Sequence, residues 1–178
     1  MEQQFEQTTL AGGCFWCLEA VFQRVRGVHD VVSGYTGGHT DAPDYRQVCA
    51  GQTGHAEAVQ LRYDPAVIDF DTLLDIFFTI HDPTTPNRQG NDVGTQYRSA
   101  IFWHTPGQQA SAQAKAARVS EELGMPVVTQ IVPAGIFHTA ESEHQDYYNR
   151  HPNQPYCMAV AAPKVAKLKR HFAQQVQA

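Results

Sequence analysis

At 178 residues, 42% hydrophobic and 17% charged, the chain is long enough to bury a sizeable core and too apolar for a disordered one. A formal net charge of −5 argues against non-specific binding to nucleic acid, whose phosphates call for a basic surface. There is no run of about twenty apolar residues and therefore no membrane span to expect. Met1-Glu2-Gln3-Gln4 lacks the basic-then-apolar pattern of a secretion signal, so a cytoplasmic location is the default expectation.

Thr8 to Ala11 reads as a strand feeding a helix that starts at Cys14, with Leu18, Val21, Phe22 and Val25 near helical spacing and Gly27 as its cap. Val28 to Tyr35 reads as a second strand, and Asp41 to His55 as a long ordered loop. Val59, Leu61 and Tyr63 alternate with Gln60 and Arg62, the period of a half-buried strand. Leu73, Ile76, Phe77 and Ile80 mark a helix that stops at Asp82-Pro83, and a polar loop follows from Thr84 to Gly94. Tyr97 to Trp103 predicts a strand, and Thr105-Pro106 opens an alanine-rich helix ending at Gly124. Val127 to Val132 predicts another strand, and Thr139 to Tyr148 a short acidic helix. Pro163 opens a basic amphipathic helix with Val165, Leu168, Phe172 and Val176 inward. Strands and helices alternate without strict βαβ spacing, which predicts an α+β fold: one two-layer domain over 1–178, a mixed sheet with flanking helices, long site loops, and the tail 151–178 packed on it. No exposed apolar stripe demands assembly, so a monomer is expected.

Chemistry concentrates at Gly12-Gly13-Cys14-Phe15-Trp16-Cys17. A thiol at a helix N-terminus meets unpaired N–H groups and the helix dipole, which predicts a lowered pKa and a nucleophilic thiolate at Cys14. Cys17, one turn on, is near enough for a disulfide. Glu57 shares the parity of Val59, Leu61 and Tyr63, which points it at their buried face, where a carboxyl stays protonated near neutral pH and can serve as an acid. Phe15 and Trp16 offer an apolar wall for a small group such as a methyl. Tyr45 and Tyr97, in or beside the polar loops, offer phenolic donors to a substrate oxygen. Cys49 reads as a buried structural thiol. Despite nine histidines, no HExxH and no second CxxC is present, so a metal site is not expected. Gly51-Gln52-Thr53-Gly54-His55 lacks the lysine of a phosphate loop. A thioredoxin-like oxidoreductase and a non-catalytic redox-sensing module remain as alternatives; neither needs Glu57.

These segments, with Tyr45-Arg46-Gln47-Val48-Cys49-Ala50-Gly51-Gln52-Thr53-Gly54-His55-Ala56-Glu57, His81-Asp82-Pro83-Thr84, Asn87 to Ser99, and Ala140-Glu141 through His144-Gln145-Asp146-Tyr147-Tyr148, resemble the peptide methionine sulfoxide reductase A family. The resemblance implies reduction of methionine S-sulfoxide, free or in proteins, with thioredoxin as reductant and neither metal nor organic cofactor. It implies that Cys14 attacks the sulfoxide sulfur, Glu57 protonates the oxygen, Tyr45 and Tyr97 hydrogen-bond it, Phe15 and Trp16 wall the methyl, and Asp92 helps hold the substrate. His144 and Tyr147 fall in a matching segment near the site. The chain departs from the commoner pattern, a glycine in place of Cys17 and cysteines in a glycine-rich tail. Either Cys17 or Cys157 is therefore a candidate resolving thiol: proximity favours Cys17, position matching Cys157.

Overall fold

The computed structural model describes residues 4–177. Met1, Glu2 and Gln3, on which most of the reading of the N-terminus rests, lie outside the described residues.

Strand β1 (Glu6–Ala11) runs into helix α1 (Phe15–Phe22). The helix stops before the predicted cap. Beyond Phe22 the backbone is claimed by the far end of the chain: Arg26 N–H donates to the Gln175 carbonyl, Gln177 N–H to that of Arg24, and Val25 bridges to Val176. Gly27, at φ 96°, instead makes the turn into β2 (Val28–Thr36). The predicted loop after it holds a short helix, α2 (Tyr45–Cys49). It is nucleated by a capping box in which the Asp44 carboxylate accepts from Gln47 N–H and the Gln47 side chain accepts from Asp44 N–H. Strand β3 (Ala56–Tyr63) and helix α3 (Phe70–Ile80) follow, the latter capped by Asp69 on Thr72 N–H.

A two-stranded ribbon of β4 (Arg88–Gln89) and β5 (Asp92–Val93) interrupts the second loop. Tyr97 sits in a single 3-10 turn rather than a strand, and β6 starts only afterwards (Ala100–Trp103). Helix α4 (Pro106–Leu123) lies between its predicted cap, Thr105, and Gly124. Strands β7 (Gln130–Pro133) and β8 (His138–Thr139) complete the sheet. The acidic helix predicted from Thr139 to Tyr148 does not form. Thr139 pairs with Gly34 of β2, Ala140 N–H donates to the Ser33 carbonyl, and the Gln145 amide bonds both backbone groups of Ser33. Only a 3-10 turn at Ser142–His144 and the short α5 (Tyr147–Arg150) remain. A π-helical turn at Cys157–Ala161 leads into α6 (Ala162–His171), which buries Val165 and Leu168 and ends before Phe172.

The six strands are ordered β7-β6-β1-β3-β2-β8, antiparallel except for β6 beside β7. Strand parity divides the core. Leu10, Val59, Leu61, Tyr63 and Ile101 join one cluster with Phe15, Leu18, Phe22, Leu73, Phe77 and Leu168 of the helices. Ala11, Ala56, Ala58, Ala100 and Phe102 form the opposite face, against Val132, Ala134 and Phe137. The architecture is α+β, a mixed sheet with flanking helices. Full burial of each of Phe15, Leu18, Val21 and Phe22 contributes about 2 kcal/mol, which pins α1 to the sheet although it is only eight residues long.

Candidate active site

Helix α1 starts over the first turn of β3, and that stacking builds the centre of the site. Glu57 is fully buried on the helix-covered face, as parity predicts, and its Oε1 accepts the Phe15 N–H at 3.1 Å. Its Oε2 is buried with no hydrogen-bond partner among the described residues. Burial, reinforced by the Asp92 and Cys17 charges, raises the carboxyl to about 8 against the pull of the Phe15 N–H. Glu57 is thus a neutral acid at pH 7.

The thiols behave differently from expectation. Cys14 caps α1, but its side chain makes no capping bond. It is only 7% exposed, and burial, a hydrogen bond with Cys17 and the Glu57 charge push its pKa well above the usual thiol range, outweighing the Trp16 N–H. The predicted lowering falls one turn later. Cys17 titrates below its usual value because the Cys14 thiol hydrogen-bonds to it, with help from the Lys164 charge and the Tyr156 hydroxyl, whose oxygen lies 3.9 Å from Sγ. Helix-terminus electrostatics lose at Cys14 because desolvation of a buried anion is the larger effect. All four cysteines are unpaired. Cys49 is exposed, not buried, because α2 turns it outward from its last turn. Cys157 is buried in the π-helical turn, with burial and the Cys17 charge raising its pKa.

The two glycines before Cys14 have separate reasons. A Cβ on Gly12 would lie 2.9 Å from the His81 ring. Gly13 has φ 94° and abuts Gln89, whose side chain clasps the Asp82 backbone from both sides. His81 is buried against Ser99, and burial lowers it to about 3, so it stays neutral.

Aromatic side chains form one side of the site. Trp16 lies flat on Tyr147, with ring centroids 3.7 Å apart, and its Nε1–H donates to His144 Nδ1 at 3.2 Å. Tyr45 stacks on His144 at 4.1 Å, and Phe15 lies tilted 5.7 Å from the same ring. Burial raises the pKa of both Tyr45 and Tyr97, and the Glu57 charge reaches each, so both phenols remain hydrogen-bond donors. On the other side, a cavity of about 460 Å³ is lined by Cys14, Cys17, Gln89, Asp92, Tyr156 and Lys164. There Tyr156 donates to Asp92 Oδ2 at 2.5 Å.

The structure therefore places Phe15, Trp16, Tyr45, His144 and Tyr147 on one side of Cys14 and Glu57, and Cys17 and Asp92 on the other, with Tyr97 close enough to feel the Glu57 and Cys14 charges. Sequence reasoning missed Glu141, which accepts from Tyr35 Oη–H and Tyr45 N–H and so fixes α2, and it missed Tyr156 and Lys164. The Asp44–Gln47 capping pattern was a usable signal for α2, and Glu141 lies in a segment that carries the family likeness; nothing in the linear sequence singles out Tyr156 or Lys164. Among the described residues, Glu141, Glu143 and His144 bring ligand atoms within 4.8 Å of one another. Both Glu141 oxygens and His144 Nδ1 are engaged by Tyr35, Tyr45 and Trp16, so Glu141 and His144 serve to hold the aromatic wall.

The family model described as peptide methionine sulfoxide reductase matches residues 6–176. The chain belongs to the peptide methionine sulfoxide reductase MsrA family. A relative of that name from Chromobacterium violaceum is 53% identical over 174 residues, 97% of this chain and 99% of the relative. Among solved structures, reduced Mxr1 from Saccharomyces cerevisiae superposes with a TM-score of 0.78 at 38% identity, covering 85% of this chain and 88% of that one. Mxr1 in complex with Trx2 matches with a TM-score of 0.55 at 28% identity, covering 83% and 89%. As a member of the family, the chain is an oxidoreductase acting on methionine sulfoxide. No helix among the described residues is long and apolar enough to cross a membrane.

Proposed function

We propose that this enzyme reduces methionine S-sulfoxide, free or within proteins, in a single catalytic domain, through a Cys14 sulfenic acid and a Cys14–Cys17 disulfide that thioredoxin reopens. The observation that carries the reading is Glu57: a buried carboxylic acid, protonated at neutral pH, beside a cysteine with a second thiol hydrogen-bonded to it.

Of the two thiols Cys17 is the first to lose its proton, and Cys14 the one that keeps its own. With a sulfoxide bound against Phe15 and Trp16, Cys14 passes that proton to Cys17 and its sulfur attacks the sulfoxide sulfur. Glu57 delivers its proton to the oxygen, and Tyr45 and Tyr97 donate to the same atom, where charge develops. The hydroxyl moves from the methionine sulfur to the Cys14 sulfur as the bond between the two sulfurs breaks, so that methionine leaves and Cys14 is a sulfenic acid. The electrons come from the cysteine, so the chemistry requires neither metal nor organic cofactor. Asp92, His144 and Tyr147 hold the substrate and its aromatic wall.

Two observations support Cys17 as the resolving thiol. It stands one helical turn from Cys14 on the wall of the same cavity, and its pKa is lowered, whereas that of Cys157, equally buried, is raised. Support for thioredoxin as reductant comes from yeast Mxr1, solved in complex with Trx2. The test is a single turnover of reduced enzyme with excess methionine S-sulfoxide, followed by methionine quantitation and disulfide mapping. One methionine per enzyme with a Cys14–Cys17 link is expected. A Cys14–Cys157 link would move resolution to the tail, and no methionine with intact thiols would sink the reading.

A further inference from the structure

Lys164 lies outside the short motifs singled out in the sequence, though within the span 6–176 that the family model matches. It projects from the first turn of α6, and its Nζ donates to the Ile80 carbonyl, the last of α3, at 2.7 Å. That bond caps α3 and fixes the ammonium at the wall of the cavity that also holds Cys14, Cys17, Asp92 and Tyr156. Within that lining it is the one cationic side chain, facing two thiols and a carboxylate.

We infer that Lys164 is a positioning residue for the second half of the cycle, holding Cys17 as a thiolate directed at Cys14. The inference rests on Cys17 being the resolving thiol. In that step Cys17 gives up the proton it took from Cys14, its thiolate attacks the sulfenic sulfur of Cys14, an S–S bond forms and the S–O bond breaks. The oxygen leaves as hydroxide and takes a proton to become water. The Cys17 sulfur is oxidised and the sulfenic sulfur reduced, with no outside oxidant or reductant.

The surroundings of Cys17 explain why a cation is needed there. Cys14 hydrogen-bonds to it from the start of α1, Tyr156 and Cys157 approach from the π-helical turn, Asp92 from β5 and Glu57 from β3. Burial and Asp92 raise the Cys17 pKa, and once Cys14 becomes sulfenic acid its S–H donor to Cys17 is replaced by an O–H on a larger group. Lys164 is then the one full positive charge of the cavity wall that favours the thiolate. On the lysine itself, burial and Lys167 favour the neutral form, while Cys17, Cys14 and Asp92 favour the charged one; buried His81, beyond it, is neutral.

The test compares unaltered enzyme with Lys164→Gln and Lys164→Met, following methionine release and loss of the sulfenic acid after one turnover with methionine S-sulfoxide across pH. Glutamine retains a donor for the Ile80 carbonyl without the charge, so it separates charge from capping. In both variants, disulfide closure is expected to slow about tenfold relative to methionine release, with its pH midpoint raised by about one unit. Lys164→Arg, keeping charge and donor, should return the midpoint to that of the unaltered enzyme. A midpoint unmoved in Lys164→Gln overturns the inference even if closure slows, since loss of the α3 cap alone would not shift a titration. A Cys14–Cys157 link in the unaltered enzyme would overturn the Cys17 reading, and this inference with it. A Cys14–Cys17 link with an unmoved midpoint would overturn this inference alone.

Discussion

Cys14 and Cys17 are one helical turn apart yet sit in opposite environments. Cys14 looks toward Glu57 and the dry sheet face, where burial outweighs the Lys164 charge across the cavity, and both groups are held in their neutral forms. Cys17 looks toward the C-terminal segment, where Lys164 and Tyr156 favour the thiolate. The first region keeps protons ready for an oxygen; the second keeps an anion ready for a sulfur. The lesson is that a helix N-terminus does not by itself make a thiolate. Solvent exclusion decides where the charge rests.

The comparison can be broken most severely at Cys14. Cys14→Ser should abolish methionine formation, measured by methionine quantitation with excess reductant. Glu57→Gln, which still accepts the Phe15 N–H but carries no proton to deliver, should cost about a hundredfold in the methionine-forming step. Its pH profile is the sharper test. In the unaltered enzyme the rate should rise as the dithiol pair loses its first proton, below the usual thiol value, and fall above about 8 as Glu57 ionises. Glu57→Gln should lose the falling limb and keep the rising one.

Cys17→Ser should stop thioredoxin-driven turnover after at most one methionine per enzyme. Continued recycling there would assign the resolving role to Cys157. The smallest effect is expected from Tyr156→Phe, which removes the bond to Asp92 and the hydroxyl beside Cys17. Closure should slow only a few-fold, with the same upward direction of its pH midpoint, because a phenol stabilises a thiolate less than a full charge does.

Much of this site was legible because its signals are local. The period of β3 put Glu57 on the core face, and a glycine pair before Cys14 placed the nucleophile at a helix start. The errors occurred where distant backbone competes for hydrogen bonds. Gln175 and Gln177 stop α1 at Phe22, and Ser33 draws Ala140 and Gln145 out of a helix. Cys49 was misjudged because its exposure depends on how α2 turns, which Asp44 and Gln47 set.

The sequence by itself determined the strand faces and the candidate reacting residues, since these follow from spacing and residue chemistry, and its motifs carried the likeness to the family. Only the tertiary structure decided which thiol carries the charge and which residues of the tail reach it. Desolvation and Coulomb interactions depend on what surrounds a group in space, and Tyr156 and Lys164 lie well over a hundred residues beyond Cys17 along the chain.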